Sequence, residues 1–181
     1  MVYLFLMFGT PGSGKSFVSD WLARKYGAVH IRSDDLRLYM FSDDRLELHR
    51  KPQYREPVAG AMRYMIEQTL DAGHSAIFDA NMNNRRETRD SWRKTAAQKG
   101  AQAIIIHVQT PLDTAKKRVV NRAEQGGHQF FEIDFVERMA KSMQMPWSNE
   151  PTILLDGLQS AEEQQAAFAQ QLAKLAAVHT K

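Results

Sequence analysis

The feature that most constrains this chain lies in its first sixteen residues: an apolar run, VYLFLMF at 2–8, passes directly into GTPGSGKS at 9–16. An unbroken apolar run of this length reads as a strand buried on both faces, the habit of parallel sheets. Gly9, Gly14, Lys15 and Ser16 then meet the spacing G-x-x-x-x-G-K-[ST]. The sequence that follows, KSFVSDWLARKYG, places Phe17, Val18, Trp21, Leu22 and Tyr26 at spacings of three and four and ends at Gly27. That pattern predicts a helix over 15–26. The motif therefore sits between a strand and a helix, the context in which it can act.

The physical reading is a phosphate cradle. Glycines at 9, 12 and 14 permit positive φ and leave room for an anion beside the backbone. Thr10, Pro11 and Ser13 complete the loop, and its N–H groups and the helix N-terminus face the same charge. Lys15 would reach the β- and γ-phosphates, and Ser16 would ligate Mg²⁺. The competing account is a Gly-rich turn with an accidental Lys-Ser. At average residue usage the four fixed positions match by chance roughly one time in a hundred in a chain this long. A nucleoside triphosphate is expected; the motif does not say which reaction follows.

Beyond the loop, apolar runs alternate with helical patterns. The runs are 2–8, 28–31, 75–79, 103–108 and 152–156, and helices are expected near 15–26, 34–41, 53–72, 84–99, 111–123, 133–143 and 160–178. In the third of these, Tyr54, Val58, Met62, Met65 and Thr69 mark the expected apolar face, and Gly73 the stop. The last opens with a capping box, Ser160 and Glu163, above a stripe of Phe168, Leu172 and Leu175. Such alternation implies a parallel sheet covered on both faces, and with the phosphate loop at its start the expected fold class is an α/β P-loop NTPase fold, a five-stranded parallel sheet flanked by helices, with a helical lid. The 181 residues suit a single domain over 1–181, with the lid at about 111–137.

Composition removes other classes. Cysteine is absent, which excludes disulfides and thiolate metal sites. The six histidines show no HExxH, and His107, inside AIIIHV, reads as a satisfied core residue. The apolar start lacks a basic leader and no run approaches a membrane span, so a cytoplasmic protein without a membrane partner is expected. Net charge of +3 and a pI of about 9.2 permit a polyanionic partner without requiring one.

Ligands of parallel sheets sit at the carboxyl ends of the strands, which selects the next residues. After the second run comes RSDDLRLYM. Ser33 can cap a helix whose positive end Asp34 and Asp35 favour; alternatively Asp34 accepts a proton from an acceptor hydroxyl, with Arg37 one turn on to bind an anionic group. After the third comes IFDANMNNRRETR. Asp79 occupies the Walker-B position for Mg²⁺, or satisfies nearby backbone; Asn81 and Asn83 would contact substrate or cap the next helix. Arg85, Arg86 and Arg89 read mostly as a solvated basic face. After the fourth, Arg118 and Arg122 share a helix face ahead of Gly126 and Gly127, the pattern of a mobile lid carrying arginines over phosphates, or of a plain surface helix.

These pieces together resemble the phage-type 5′-hydroxyl polynucleotide kinases, within the wider group of zeta-toxin-like P-loop kinases. The resemblance rests on GTPGSGKS, RSDDLR, FDANMN, KKRVVNR and IDFVERMAKSM, in that order over about residues 2–145. It implies Asp34 as general base, Arg37 on the acceptor's phosphate, Asp79 ordering Arg37 or the metal shell, and Arg118 and Arg122 clamping the donor phosphates. Phe17 departs from the small hydroxyl residue common there, and segment 39–60 has no match. No phosphatase or ligase segment follows, so a kinase alone is expected. The expected reaction is Mg²⁺-dependent transfer from ATP to a hydroxyl, foremost the 5′-OH of a polynucleotide or nucleotide. A sugar-type small-molecule acceptor, or an ATP-dependent binding switch without transfer, are the alternatives.

Overall fold

In the computed structural model, which describes residues 1–41, 51–124 and 133–178, five strands form one parallel sheet. They are β1 (Tyr3–Phe8), β2 (Val29–Arg32), β3 (Ala76–Asp79), β4 (Gln102–Gln109) and β5 (Thr152–Asp156), in the order β2-β3-β1-β4-β5. Helices α1 (Lys15–Tyr26), α2 (Ser33–Phe41), α3 (Arg55–Asp71), α4 (Arg86–Gln98), α5 (Leu112–Glu124), α6 (Ile133–Ser142) and α7 (Ala161–Val178) connect or flank them.

The period of two along β1 explains its unbroken apolar run. Leu4, Leu6 and Phe8 face a core completed by Met62, Ile66 and Leu70 of α3 and Trp92 of α4. Phe5 and Met7 face the other core, with Val18, Trp21 and Leu22 of α1 and Phe168 of α7. Both faces are covered, so no polar residue interrupts the strand. Phe168 anchors the second core with edge-on contacts to Phe5, Trp21 and Tyr26 at 5.1–5.8 Å.

The expected elements appear with small shifts at their ends. The capping box forms: Ser160 N–H donates to Glu163 Oε2 at 2.8 Å, and Glu163 N–H to Ser160 Oγ at 3.3 Å. On α3 the buried stripe is Val58, Met62, Ile66 and Leu70, and Met65 is exposed. Spacing of four throughout, rather than alternating three and four, follows the seam against β2 and β3. Ser33 is the first residue of α2 rather than its cap, because β2 runs into the helix without a loop. Gly126 and Gly127, and part of segment 39–60, lie outside the described residues.

The topology fixes where the chemistry gathers. From β1 the chain moves to β2 on one side; from β3 it crosses to β4 on the other. The phosphate loop therefore leaves the central strand where the connections diverge, with β3 and β2 on one flank and β4 and β5 on the other.

Candidate active site

The loop holds its shape through glycine. Gly9 and Gly12 adopt φ of 146° and 81°. A Cβ on Gly12 would lie 2.3 Å from the Ala115 carbonyl oxygen, and one on Gly9 would lie 2.8 Å from that of Val108. The loop is thus pressed against β4 and α5. Thr110 Oγ1 ties it further, donating to the Ser13 carbonyl at 2.8 Å. Helix α1 begins without a side-chain cap and without an acid in its first turn, so its leading N–H groups remain available to an anion.

Lys15 Nζ lies in the mouth of this cradle, donating to the carbonyls of Gly9 at 2.8 Å and Thr10 at 2.9 Å. Burial pulls its pKa down to about 8; the charges of Asp79 and Asp34 oppose that shift, and Arg122 adds to it. All four charges therefore share one electrostatic neighbourhood.

Ser16 Oγ donates to Asp79 Oδ2 at 3.3 Å. The same carboxylate oxygen meets His30 Nε2 at 3.3 Å and Arg32 Nε at 3.9 Å. Burial works against ionisation of Asp79, but the hydrogen bond to His30 and the charges of Lys15, His30 and Arg32 outweigh it and hold its pKa below the usual range. The sequence reading missed His30 and Arg32. Their link to Asp79 runs across strands, where Arg32 and Asp79 stand in register. Arg37 Nη1 pairs with Asp34 Oδ1 at 3.2 Å, one turn along α2. Arg37 thus takes Asp34, not Asp79, as its partner.

Arg118 Nη2 donates to the Gly157 carbonyl at 3.0 Å, so α5 reaches the exit of β5. Helix α5 is joined to α6 by the ion pair of Lys116 and Glu137. Asn81 is partly exposed in the 3-10 turn after β3. Asn83, expected to cap a helix or face substrate, is fully buried instead: its Nδ2 donates to the carbonyls of Phe78 at 2.9 Å and Met7 at 3.1 Å. It braces the ends of β1 and β3.

Arg89 departs furthest from expectation. It is fully buried, not part of a solvated face. Its Nε and Nη2 donate to the two oxygens of Glu150 at 2.8 and 3.1 Å, and its Nη1 to the Asn83 carbonyl at 3.0 Å. Glu150 also accepts from Trp147 N–H at 2.8 Å. Burial disfavours its charge, yet the hydrogen bonds from Arg89 and Trp147 N–H and the charges of Arg89 and Arg86 hold its pKa below the usual range. Gln144 adds two links, donating from N–H to Asn84 and accepting from Arg86 N–H. Segment 143–150 is thereby fixed to the turn after β3. Met143 and Met145 from that segment line a cavity of about 550 Å³ that also touches Gly9, Thr10, His107 and Asp156.

Known proteins share this fold. The chain matches the AAA-domain family over residues 4–146. An adenylate kinase from Porphyromonas gingivalis is 25% identical over 166 residues, covering 83% of this chain and 79% of that protein. A gluconokinase from Sinorhizobium meliloti 1021 superposes with a TM-score of 0.69 at 18% identity, over 99% of this chain and 95% of that one. A sugar kinase from Janibacter sp. HTCC2649 gives 0.68 at 17%, over 96% and 95%. These likenesses give the fold, the α/β architecture of P-loop kinases.

Proposed function

The chain belongs to the AAA-domain family, and from that premise we propose that it is an ATP-dependent kinase transferring the γ-phosphoryl group to a hydroxyl. The observation that carries this is the convergence on Lys15: a loop shaped for phosphate, a buried carboxylate beside Ser16, and a second carboxylate, Asp34, within electrostatic reach. In the transfer, the bond between the γ-phosphorus and its bridging oxygen breaks, a bond to the acceptor oxygen forms, and the acceptor proton goes to Asp34. Lys15 and the N–H groups of the loop bind the donor phosphates, and Arg118 and Arg122 of α5 meet the charge that develops on them. Arginines in that position contribute roughly 10³–10⁵ in rate, or about 4–7 kcal/mol. Arg37 orients Asp34.

The residues also suit Mg²⁺. Ser16 Oγ and the ionised Asp79 offer hard oxygen ligands side by side. No cluster of three or more His, Asp or Glu gathers among the described residues, in keeping with an ion that completes its shell from phosphate and water. Bound there, Mg²⁺ would neutralise phosphate charge.

Two acceptors have support. A small hydroxylated molecule is favoured by the superposed gluconokinase and by the size of the cavity beside Thr10. A 5′-hydroxyl of a nucleotide or polynucleotide is favoured by the Asp34–Arg37 pair, whose guanidinium can hold an acceptor phosphate. Asp34→Asn tests the shared chemistry. Transfer should fall by at least about 10²-fold while ATP affinity stays within a few fold. Unchanged transfer would remove Asp34 as the base.

A further inference from the structure

We propose that His30, set between Asp20 and Asp79, is a positioning residue for the Mg²⁺ site: it fixes the Asp79 carboxylate beside Ser16, and Asp20 fixes His30. This rests on the Mg²⁺ assignment within the kinase reading and adds to it a residue that acts only through Asp79.

Three elements bring these groups together. Ser16 and Asp20 are one turn apart on α1 and lie on the same side of it. His30 and Arg32 alternate with the buried Ile31 along β2, and Asp79 ends β3 in register with Arg32. Ser16 Oγ donates to Asp79 Oδ2 at 3.3 Å, His30 Nε2 meets the same oxygen at 3.3 Å, and His30 Nδ1 lies 3.5 Å from Asp20 Oδ1. The contacts close into a circuit: Ser16, Asp79, His30, Asp20, and back to Ser16 through one turn of α1. Asp79 is buried and Asp20 exposed, so His30 links the floor of the phosphate loop to the surface of α1.

The chemistry gives the ring a direction. Asp79 is held ionised, so its oxygens only accept, and Nε2 carries the donated hydrogen. Nδ1 then faces the Asp20 carboxylate, and turning the ring over would present carbon to both acids. Burial works against charge on Asp79, and the His30 hydrogen bond leads the influences that outweigh it, ahead of the charge of Lys15.

The other cations nearby supply charge without direction. Arg32 Nε stands 3.9 Å from Asp79, buried and without a partner, while its Nη1 turns to Asp35 at 3.5 Å. Lys15 Nζ is committed to the carbonyls of Gly9 and Thr10. Among the described residues, hydrogen bonds reach the Asp79 carboxylate from Ser16 and His30. Ser16 is itself a candidate ligand, which leaves His30 as the contact that orients Asp79. Partners that hold a metal-ligating carboxylate typically carry about 10–100-fold in metal affinity or activity.

The test reads the ion rather than the reaction. Calorimetry measures binding of AMP-PNP, a non-hydrolysable ATP analogue, to the full chain in Mg²⁺ and in EDTA, for wild type, His30→Gln, His30→Asn and Asp20→Ala. The ratio of the two affinities is the gain due to the ion. Thermal melts check that each variant folds. The Gln amide extends as far as Nε2 and keeps a donor at Asp79; the Asn amide stops short of it. His30→Asn should cut the gain about tenfold or more. His30→Gln should retain most of it, and Asp20→Ala should fall between the two. Affinity in EDTA should stay within about twofold throughout. A merely structural histidine would lower the melting point and weaken binding equally with and without the ion. The proposal is overturned if His30→Asn keeps the gain, if His30→Gln loses as much, or if both affinities fall together. Wild type without any gain also overturns it, by removing the metal site. Turnover with γ-labelled ATP separates this from the kinase reading. No transfer by wild type, with the gain present and lost in His30→Asn, sinks the kinase and keeps the positioning role. Transfer by wild type, with the gain unchanged in His30→Asn, keeps the kinase and overturns the positioning role.

Discussion

Removing Glu150 should damage this protein more than its place in a surface segment implies. The Arg89 guanidinium is fully buried and relies on Glu150 for two charge-assisted hydrogen bonds, at 2.8 and 3.1 Å, with the Asn83 carbonyl as its remaining acceptor. Glu150→Ala leaves that cation buried and mostly uncompensated, a change that costs about 3–5 kcal/mol. In a chain of this size each kcal/mol shifts the melting point by about 2–4 °C, so a fall of roughly 6–20 °C is expected. Urea denaturation, with an unchanged m-value, gives the free energy directly. The double variant Arg89→Met/Glu150→Leu removes both charges and should recover at least about 2 kcal/mol of the loss. The pH dependence has a defined sign. The folded pKa of Glu150 is lowered, so its ionised form stabilises the fold above the ordinary glutamate value of 4.5, and that stability is lost as pH falls through the lower folded pKa. The advantage of wild type over Glu150→Gln should therefore shrink below about pH 4.5. A loss under about 1 kcal/mol for Glu150→Ala, or a double variant no better than the single, would refute the view that this pair fixes segment 143–150.

Two further predictions concern the cradle. Gly12→Ala combines left-handed backbone with a Cβ 2.3 Å from the Ala115 carbonyl, whereas Gly27→Ala meets the left-handed penalty alone, with nothing within 4 Å. Calorimetry should show nucleotide affinity reduced tenfold or more for Gly12→Ala and unchanged for Gly27→Ala, which loses only about 1–2 kcal/mol of stability. Lys15 must carry its proton to bind phosphate, and its pKa is lowered to about 8. Nucleotide kcat/KM should therefore fall above about pH 8, and Asp79→Asn, by removing a charge that raises that pKa, should move the fall to lower pH.

What the sequence made legible was local. GTPGSGKS between an apolar run and a 3.6-period helix determines the loop, its strand and α1, because each of those choices is made within a few residues. The strand-end rule likewise led to Asp34, Asp79 and the arginines of α5. The features it missed are made by pairing across the chain. His30 and Arg32 join Asp79 through strand register. Arg89 finds Glu150 61 residues away, so a helix rich in arginine looked solvated. Asn83 looked like a loop residue because its acceptors, Met7 and Phe78, lie on two separate strands. His107 is buried against Phe8 as expected, and it also borders the cavity beside Thr10, which alternation cannot report.

The central claim is that this loop delivers phosphate to a hydroxyl. The most direct test incubates the protein with γ-labelled ATP and Mg²⁺ against alcohols, sugars and a 5′-OH oligonucleotide, with Asp34→Asn in parallel. The account predicts label on an acceptor oxygen with wild type, and its loss in Asp34→Asn while ATP still binds. ATP bound tightly with no acceptor labelled, or label transferred equally well by the variant, would contradict it.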